Sequence, residues 1–262
     1  MFCLVDGIYK SDIIGVRHGF STREGGVSAH AHTATMNLAF GRGDDDATVL
    51  ENLSIFAHKL GIDEKTVVSV PQIHSREVRA VGAADRGAGY FFDAGFSCDG
   101  YVTSERGVAL GVKTADCVPI LLADEAHGVV GALHAGWRGS TRGIVFAGVE
   151  KMLALGAATG NIKAAIGAAI GPCCYEVGEE VFASAAQNLG IEIAKRFITP
   201  REESGKYSAD LVGLDRELLL CAGVPEENID VCGHCTACES ETFFSHRASG
   251  GVRGTMLALI SL

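Results

Sequence analysis

Between residues 108 and 135 the chain carries three short apolar runs, 108–112 (VALGV), 118–123 (VPILLA) and 129–133 (VVGAL), separated by polar or glycine residues. Runs this short, rich in β-branched residues and closed by breakers, form buried strands rather than helices. Three of them in so little chain demand a sheet with neighbouring strands buried together, and the rest of the fold must be built against it. A fourth run, 67–73 (VVSVPQI), reads as a strand at an edge or with an irregular end, because Pro71 cannot donate to a ladder.

Helical spacing appears on either side. Val49, Leu53, Phe56, Ala57 and Leu60 recur on one face of 46–60, and Gly61 follows as a stop. Ser140 is placed to cap a helix whose apolar face is Val145, Val149, Met152 and Leu153, ending near Gly156. Further helices are expected over 179–189 and 210–221, the latter with Leu211, Leu214, Leu218 and Cys221 on one face. Residues 162–170 read as a strand leading into the turn GPCCYEVG, and 229–232 as a strand running into GHCTACES. Residues 19–43, polar and punctuated by glycine, read as strand ends and a long loop. No repeat or linker divides the chain. One mixed α/β domain over 1–262 is therefore expected, without the regular alternation of a doubly wound sheet.

The net charge of -10 opposes a nucleic-acid or anionic-membrane partner. No apolar stretch is long enough to span a bilayer, and the opening MFCLVDGIYKSD lacks the pattern of an export signal. Nine cysteines cannot all pair within one chain. Reduced thiols and a cytoplasmic location are the expectation.

The chemistry-bearing residues fall where these runs break. His74 follows 67–73, Cys117 lies between 108–112 and 118–123, and His134 follows 129–133. Two imidazoles and one thiolate suit zinc and leave a fourth position for water, the arrangement of a catalytic site. The bland alternative is two satisfied histidines and a small buried cysteine. Asp116 could orient a ligand, accept a substrate proton or simply cap a turn. In GWRG, Trp137 offers an apolar platform and Arg138 an anion contact, or the pair is a packed indole beside a surface arginine. Arg17 and Arg23 could hold a phosphate, with His18 and Asn37 close in sequence and Asn37 a hydrogen-bonding ligand contact, unless the arginines are merely solvated. Cys232, Cys235 and Cys238 form C-x-x-C-x-x-C, a pattern that can bind zinc or exchange disulfides. Cys98, Cys173, Cys174 and Cys221 look scattered and complete no paired knuckle, so loose reduced thiols are expected there. The P-loop, G-x-G-x-x-G and G-x-S-x-G signatures are absent.

Taken in order, RHGFSTREGGVS at 17–28, PQIHSREV at 71–78, KTADCVPILLAD at 113–124, HAGWRG at 134–139, IGAAIGPCCYEVG at 166–178 and CTACESETFFSHR at 235–247 cover almost the whole chain. This set closely resembles the YfiH family, also called the multicopper polyphenol oxidase or laccase-domain family. The resemblance implies a layered, mixed-sheet α/β domain with one active site, whose metal ligands match His74, Cys117 and His134. It implies zinc, with copper as the alternative, and a purine nucleoside and phosphate as substrates. The implied reactions are phosphorolysis of adenosine, inosine or methylthioadenosine and deamination of adenosine. Copper-dependent polyphenol oxidation and cytoplasmic editing of peptidoglycan precursors are the alternatives. Arg247, in the tail motif, joins Arg23 and Arg138 as a candidate phosphate contact. The chain departs from many relatives at His246, where tyrosine is common, and at Asp215, where asparagine is common. An ionised aspartate has no donor to replace the amide.

Overall fold

The computed structural model describes residues 1–202 and 205–262. In chain order its regular elements are strands β1 (Phe2–Val5), β2 (Ile8–Ser11) and β3 (Arg17–Ser21), helix α1 (Asp46–Lys59), strands β4 (Val67–Val68), β5 (Val78–Ala80), β6 (Gly100–Thr103), β7 (Ala109–Thr114), β8 (Val118–Asp124) and β9 (Val129–Ala135), helices α2 (Trp137–Thr141) and α3 (Ile144–Ala154), strands β10 (Lys163–Ile166) and β11 (Glu176–Val177), helices α4 (Glu179–Leu189) and α5 (Ile191–Phe197), strands β12 (Ile198–Arg201) and β13 (Lys206–Ala209), helix α6 (Leu211–Cys221), and strands β14 (Ile229–Val231) and β15 (Met256–Ser261).

Two six-stranded mixed sheets result, ordered β1-β2-β3-β15-β7-β4 and β14-β10-β8-β9-β6-β5, with a small β11-β13-β12 sheet beside them. Strand alternation stacks them. In β15, Met256, Ala258 and Ile260 face one core while Leu257 and Leu259 face another. In β8, Leu121 and Ala123 point to the same inner core as Met256, and Val118, Ile120 and Leu122 point away from it. The inner core therefore lies between the two sheets. Helix α1 covers the outer face of the first sheet through Val49, Leu53, Phe56 and Ala57. Helices α3 to α6 cover the outer face of the second. The order of layers is helix, sheet, sheet, helix, a mixed α/β architecture of the layered type expected.

The expected helices at 179–189 and 210–221 are present as α4 and α6, and Asp210 caps α6 by accepting from Gly213 N at 2.8 Å. Of 67–73 only Val67–Val68 is strand, and it lies at a sheet edge, as Pro71 requires. Ser140 does not cap α3. It lies inside α2, and the α3 N-cap is Gly143 at φ 76°, a left-handed turn that glycine adopts without steric cost. The strand β15, central in the first sheet, and the short α5 were not marked out in the sequence reading.

Candidate metal centre

The register of the second sheet builds the site. In β9 the side chains of Val130 and Ala132 face the inner core while Leu133 and Ala135 face the outer one, so His134 shares the inner parity and opens between the sheets. β9 pairs with β6 so that Leu133 faces Gly100, and His134 N donates to Asp99 O at 2.7 Å. Cys117 occupies the tight β7–β8 connection, where Asp116 adopts φ 93°. His74 stands on the irregular segment after β4 and also takes a left-handed φ, 55°. Of the three described non-glycine residues with positive φ, Asp6, His74 and Asp116, the last two lie at the site or beside it and mark backbone held by its surroundings.

The three ligand atoms of His74, Cys117 and His134 all lie within 4.8 Å of one another. His74 Nε2 is 4.0 Å from Cys117 Sγ, and the two imidazoles meet edge-on at 4.9 Å. Gly136 is required by space rather than by torsion. A Cβ there would come within 3.0 Å of the His74 ring and 3.3 Å of Cys117 Sγ. His134 is 3% exposed, Cys117 half-buried and His74 exposed, so the corner opens to solvent on one side.

Asp99 is the residue the sequence reading missed. Its buried carboxylate accepts from His134 Nδ1 at 2.9 Å, from His74 N at 3.0 Å, and from Ser75 N and Oγ at 2.6 and 2.8 Å. A carboxylate only accepts, so the hydrogen sits on His134 Nδ1 and Nε2 is left to bind a metal. Burial alone would raise the Asp99 carboxyl, but His134 and Ser75 outweigh it and hold it below the usual range. Burial likewise opposes ionisation of Cys117, yet the charge and hydrogen bonds of His134 and His74 bring its thiol down to about 6. Burial also disfavours the His134 cation, but Cys117 and Asp99 push it up to about 9. The pair is a thiolate beside an imidazolium, and a divalent cation would replace that ring proton. The donor set, its spacing and the oriented His134 ring all fit one tetrahedral ion with an open position.

A cleft of about 440 Å³ opens beside this corner. Besides the three ligands it is lined by Phe40, Arg42, Gln72, Lys113, Arg253 and Thr255. Arg253 is half-buried, and its Nε has no hydrogen-bond partner. Burial and the neighbouring Arg42 lower it to about 10, so it remains a cation at neutral pH. Burial pushes Lys113 down to about 8.

The other candidate residues lie elsewhere. Asp116 does not contact the ligands' ring nitrogens. It accepts from Thr236 Oγ1 and from Arg247 N, both at 2.7 Å, and so pins the tail against the Cys117 turn. Arg247 spends its guanidinium on the carbonyls of Cys174 and Glu176. Arg138 is exposed, with its guanidinium 4.2 Å over the Trp137 ring. Arg17 pairs with Ser261, whereas the cleft borders Thr114, which pairs with Met256. That puts Arg17 about 17 Å away, five residues of antiparallel rise. Arg23 binds the carbonyls of Ala34 and Ser240 and lines, with Phe244, a second hollow that shares Arg253 with the cleft. Buried Asn37 is saturated: its amide donates to Ala39 O and Asp44, and its oxygen accepts from Ala39 N and Thr255 N. Arg17, Arg23 and Asn37 therefore do not line the cleft, whereas Phe40 and Arg42 of the same segment do.

Asp215 is fully buried under α2. One oxygen accepts from Ser140 Oγ at 2.9 Å and the other has no partner. Burial raises its carboxyl well above the ordinary range. Held neutral, it carries an O–H donor, so the expected contrast with asparagine is smaller than charge alone suggests.

The stacked sheets define a layered α/β protein, and among the described residues His74, Cys117 and His134 form one mixed His-Cys-His ligand set between them. The chain belongs to the family described as multi-copper polyphenol oxidoreductase laccase, whose model matches residues 17–262. It is 40% identical over 254 residues to the purine nucleoside phosphorylase YlmD of Geobacillus stearothermophilus, covering 94% of this chain and 90% of that one. It is 38% identical to the adenosine deaminase RL5 of an unknown prokaryotic organism, covering 92% of each. The crystal structure of the hypothetical protein YfiH from Bacillus licheniformis superposes with a TM-score of 0.92 at 32% identity, covering 100% of this chain and 98% of that one.

Proposed function

We propose that this chain is a zinc-dependent purine nucleoside enzyme that phosphorolyses adenosine, inosine or methylthioadenosine and also deaminates adenosine. One observation carries the reading. The His74, Cys117 and His134 corner and three cations, Arg42, Lys113 and Arg253, line the same cleft. Its size lies within the range of small-molecule sites. The names of the two relatives, a phosphorylase and a deaminase, support both reactions at one site.

When bound, zinc supplies Lewis acidity and lowers the pKa of a water ligand. The side chains do the rest. Arg253 and Arg42 neutralise the attacking phosphate in a partly water-excluded space. Phe40, packed edge-on against Tyr90 at 5.6 Å, offers a face for the purine. Lys113, set near neutrality by burial, hands a proton to the leaving base. Asp99 holds the His134 ring throughout.

Two other reactions place different demands on the site. Copper-dependent phenol oxidation requires a second, histidine-rich copper site, and among the described residues the other ligand group is four cysteines. Hydrolysis of a peptidoglycan precursor would use Cys117 as nucleophile, which its lowered pKa and neighbouring His74 and His134 favour. Incubation of the zinc-loaded chain with adenosine and phosphate, with adenine and inosine measured separately, tests the proposal. Absence of product from adenosine, inosine and methylthioadenosine overturns it. A covalent adduct on Cys117 in metal-free protein would favour the hydrolase.

A further inference from the structure

The second ligand group was not legible as a unit in the sequence. β10 and β14 run parallel, with Ala164 opposite Ile229 and Ile166 opposite Val231. The loops that leave them at the same end stay together, through an Ala169–Cys235 bridge and a bond from Thr236 N to Ala169 O at 3.1 Å. One loop carries Cys173 and Cys174, the other Cys235 and Cys238. The four sulfurs all lie within 4.8 Å of one another, with Cys238 Sγ 3.5 Å from Cys173 Sγ and 3.4 Å from Cys174 Sγ.

We propose that Cys173, Cys174, Cys235 and Cys238 bind a second zinc ion, structural rather than catalytic, behind the Cys117 turn.

The spacing suits one ion. A Zn–S bond of about 2.3 Å in a tetrahedron separates sulfurs by roughly 3.8 Å. The four thiols therefore need only small adjustments to close on a single ion, and they are too tightly grouped for a cage of several irons. A disulfide would need an S–S distance of about 2.05 Å, and all nine cysteines are free. Four thiolate ligands leave no open coordination position, which makes the site structural.

The loops are also prepared for thiolates. Cys235 Sγ accepts Gly171 N at 3.2 Å and lies in reach of the Ala237 and Cys238 amides, so the C-x-x-C turn aims backbone N–H groups at its first sulfur. Arg201 donates to the carbonyls of Pro172 and Cys173, and Arg247 to that of Cys174. These two guanidiniums flank the loop and complement the net negative charge of a zinc tetrathiolate.

The position explains what such an ion would accomplish. Thr236, between the two cysteines of the knuckle, donates to Asp116, and Ile170 N donates to Asp116 O at 2.9 Å. Asp116 precedes Cys117. A zinc ion joining the two loops fixes the partners that hold the Cys117 turn in its left-handed conformation.

The test is metal analysis and cobalt spectroscopy on the full chain, purified anaerobically in the presence of zinc. The expected content is two zinc ions per chain in the wild type and one in Cys173→Ser/Cys238→Ser. Cys117→Ser should also retain one, lost from the other site. The cobalt-loaded wild type, which needs no substitution to fold, should show the intense charge-transfer bands of a tetrathiolate in addition to the weaker spectrum of a site with two imidazoles and a single thiolate. One zinc per chain with no tetrathiolate bands overturns the proposal. So does an intact mass showing disulfides among these four cysteines, or the visible absorption of an iron–sulfur cluster. Purine turnover is read separately, because it depends on the His74, Cys117 and His134 site and can fail without affecting the cobalt spectrum.

Discussion

Asp99 Oδ1 lies 2.9 Å from His134 Nδ1 and 3.0 Å from the backbone nitrogen of His74, so one carboxylate oxygen orients two of the three candidate ligands. Replacing Asp99 with alanine frees the His134 ring and removes the acceptor that holds the His74 loop. Zinc affinity at this site should fall about 10- to 100-fold, measured by competition with a chromophoric chelator. An unchanged affinity would mean that the ring is held by packing alone.

Cys117 supplies the only thiolate of its set. Cys117→Ala should lose zinc from the catalytic site and purine turnover together. The exposed Cys221, outside both sulfur groups, is the control: Cys221→Ala should keep both properties. Metal content and turnover measured on the same preparations decide whether the two losses are linked.

Arg253 lines the cleft, its Nη1 donating to Gly254 O and Thr255 Oγ1 and its buried Nε without a partner, whereas Arg17 lies toward the far end of the first sheet. Arg253→Ala should raise the KM for phosphate by about tenfold or more, the cost of one charge-assisted contact of about 1.5–3 kcal/mol, and change adenosine deamination less. Arg17→Ala should leave both near wild type. Equal losses in the two reactions of Arg253→Ala would show that it supports the cleft rather than the anion.

Asp215 gives a pH signature. Its folded pKa is raised by burial, so the native state holds this proton more tightly than the unfolded chain does. The stability it contributes is complete below the ordinary carboxyl pKa and is lost as pH rises toward the folded value. Asp215→Asn removes that dependence. Thermal unfolding should show little difference from wild type in acid and a growing advantage for the variant toward neutral and higher pH. An advantage constant with pH would locate the effect in packing.

Much of this was readable in the residues. The spacing of Val49, Leu53 and Phe56 and that of Leu211, Leu214 and Leu218 placed α1 and α6, because an apolar helix face is a local signal. The three apolar runs placed β7 to β9 and the break between the first two placed Cys117, whereas His134, expected just after the last run, lies within β9. β15 escaped because both its faces are buried, which erases the alternation that distinguishes a strand from a buried helix. Asp99 escaped because its role arises from the pairing of β6 with β9, and the four cysteines because the parallel pairing of β10 with β14 joins loops some sixty residues apart. Ser140 was misplaced because a capping hydroxyl and one bonded to a buried acid look alike in sequence.

The position of β15 also has a consequence for biosynthesis. It pairs with β3 on one side and β7 on the other, and the residues just before it, Arg253 and Thr255, line the cleft. A nascent chain that has emerged from the ribosome only through α6 carries β3 and β7 as open, apolar edges with nothing between them, the kind of surface that chaperones bind and that aggregates. The cleft beside His74, Cys117 and His134 is complete only once β15 has emerged. A ribosome that stops short of Met256 releases a product that has its His74, Cys117 and His134 residues but lacks the strand that seals the wall beside them.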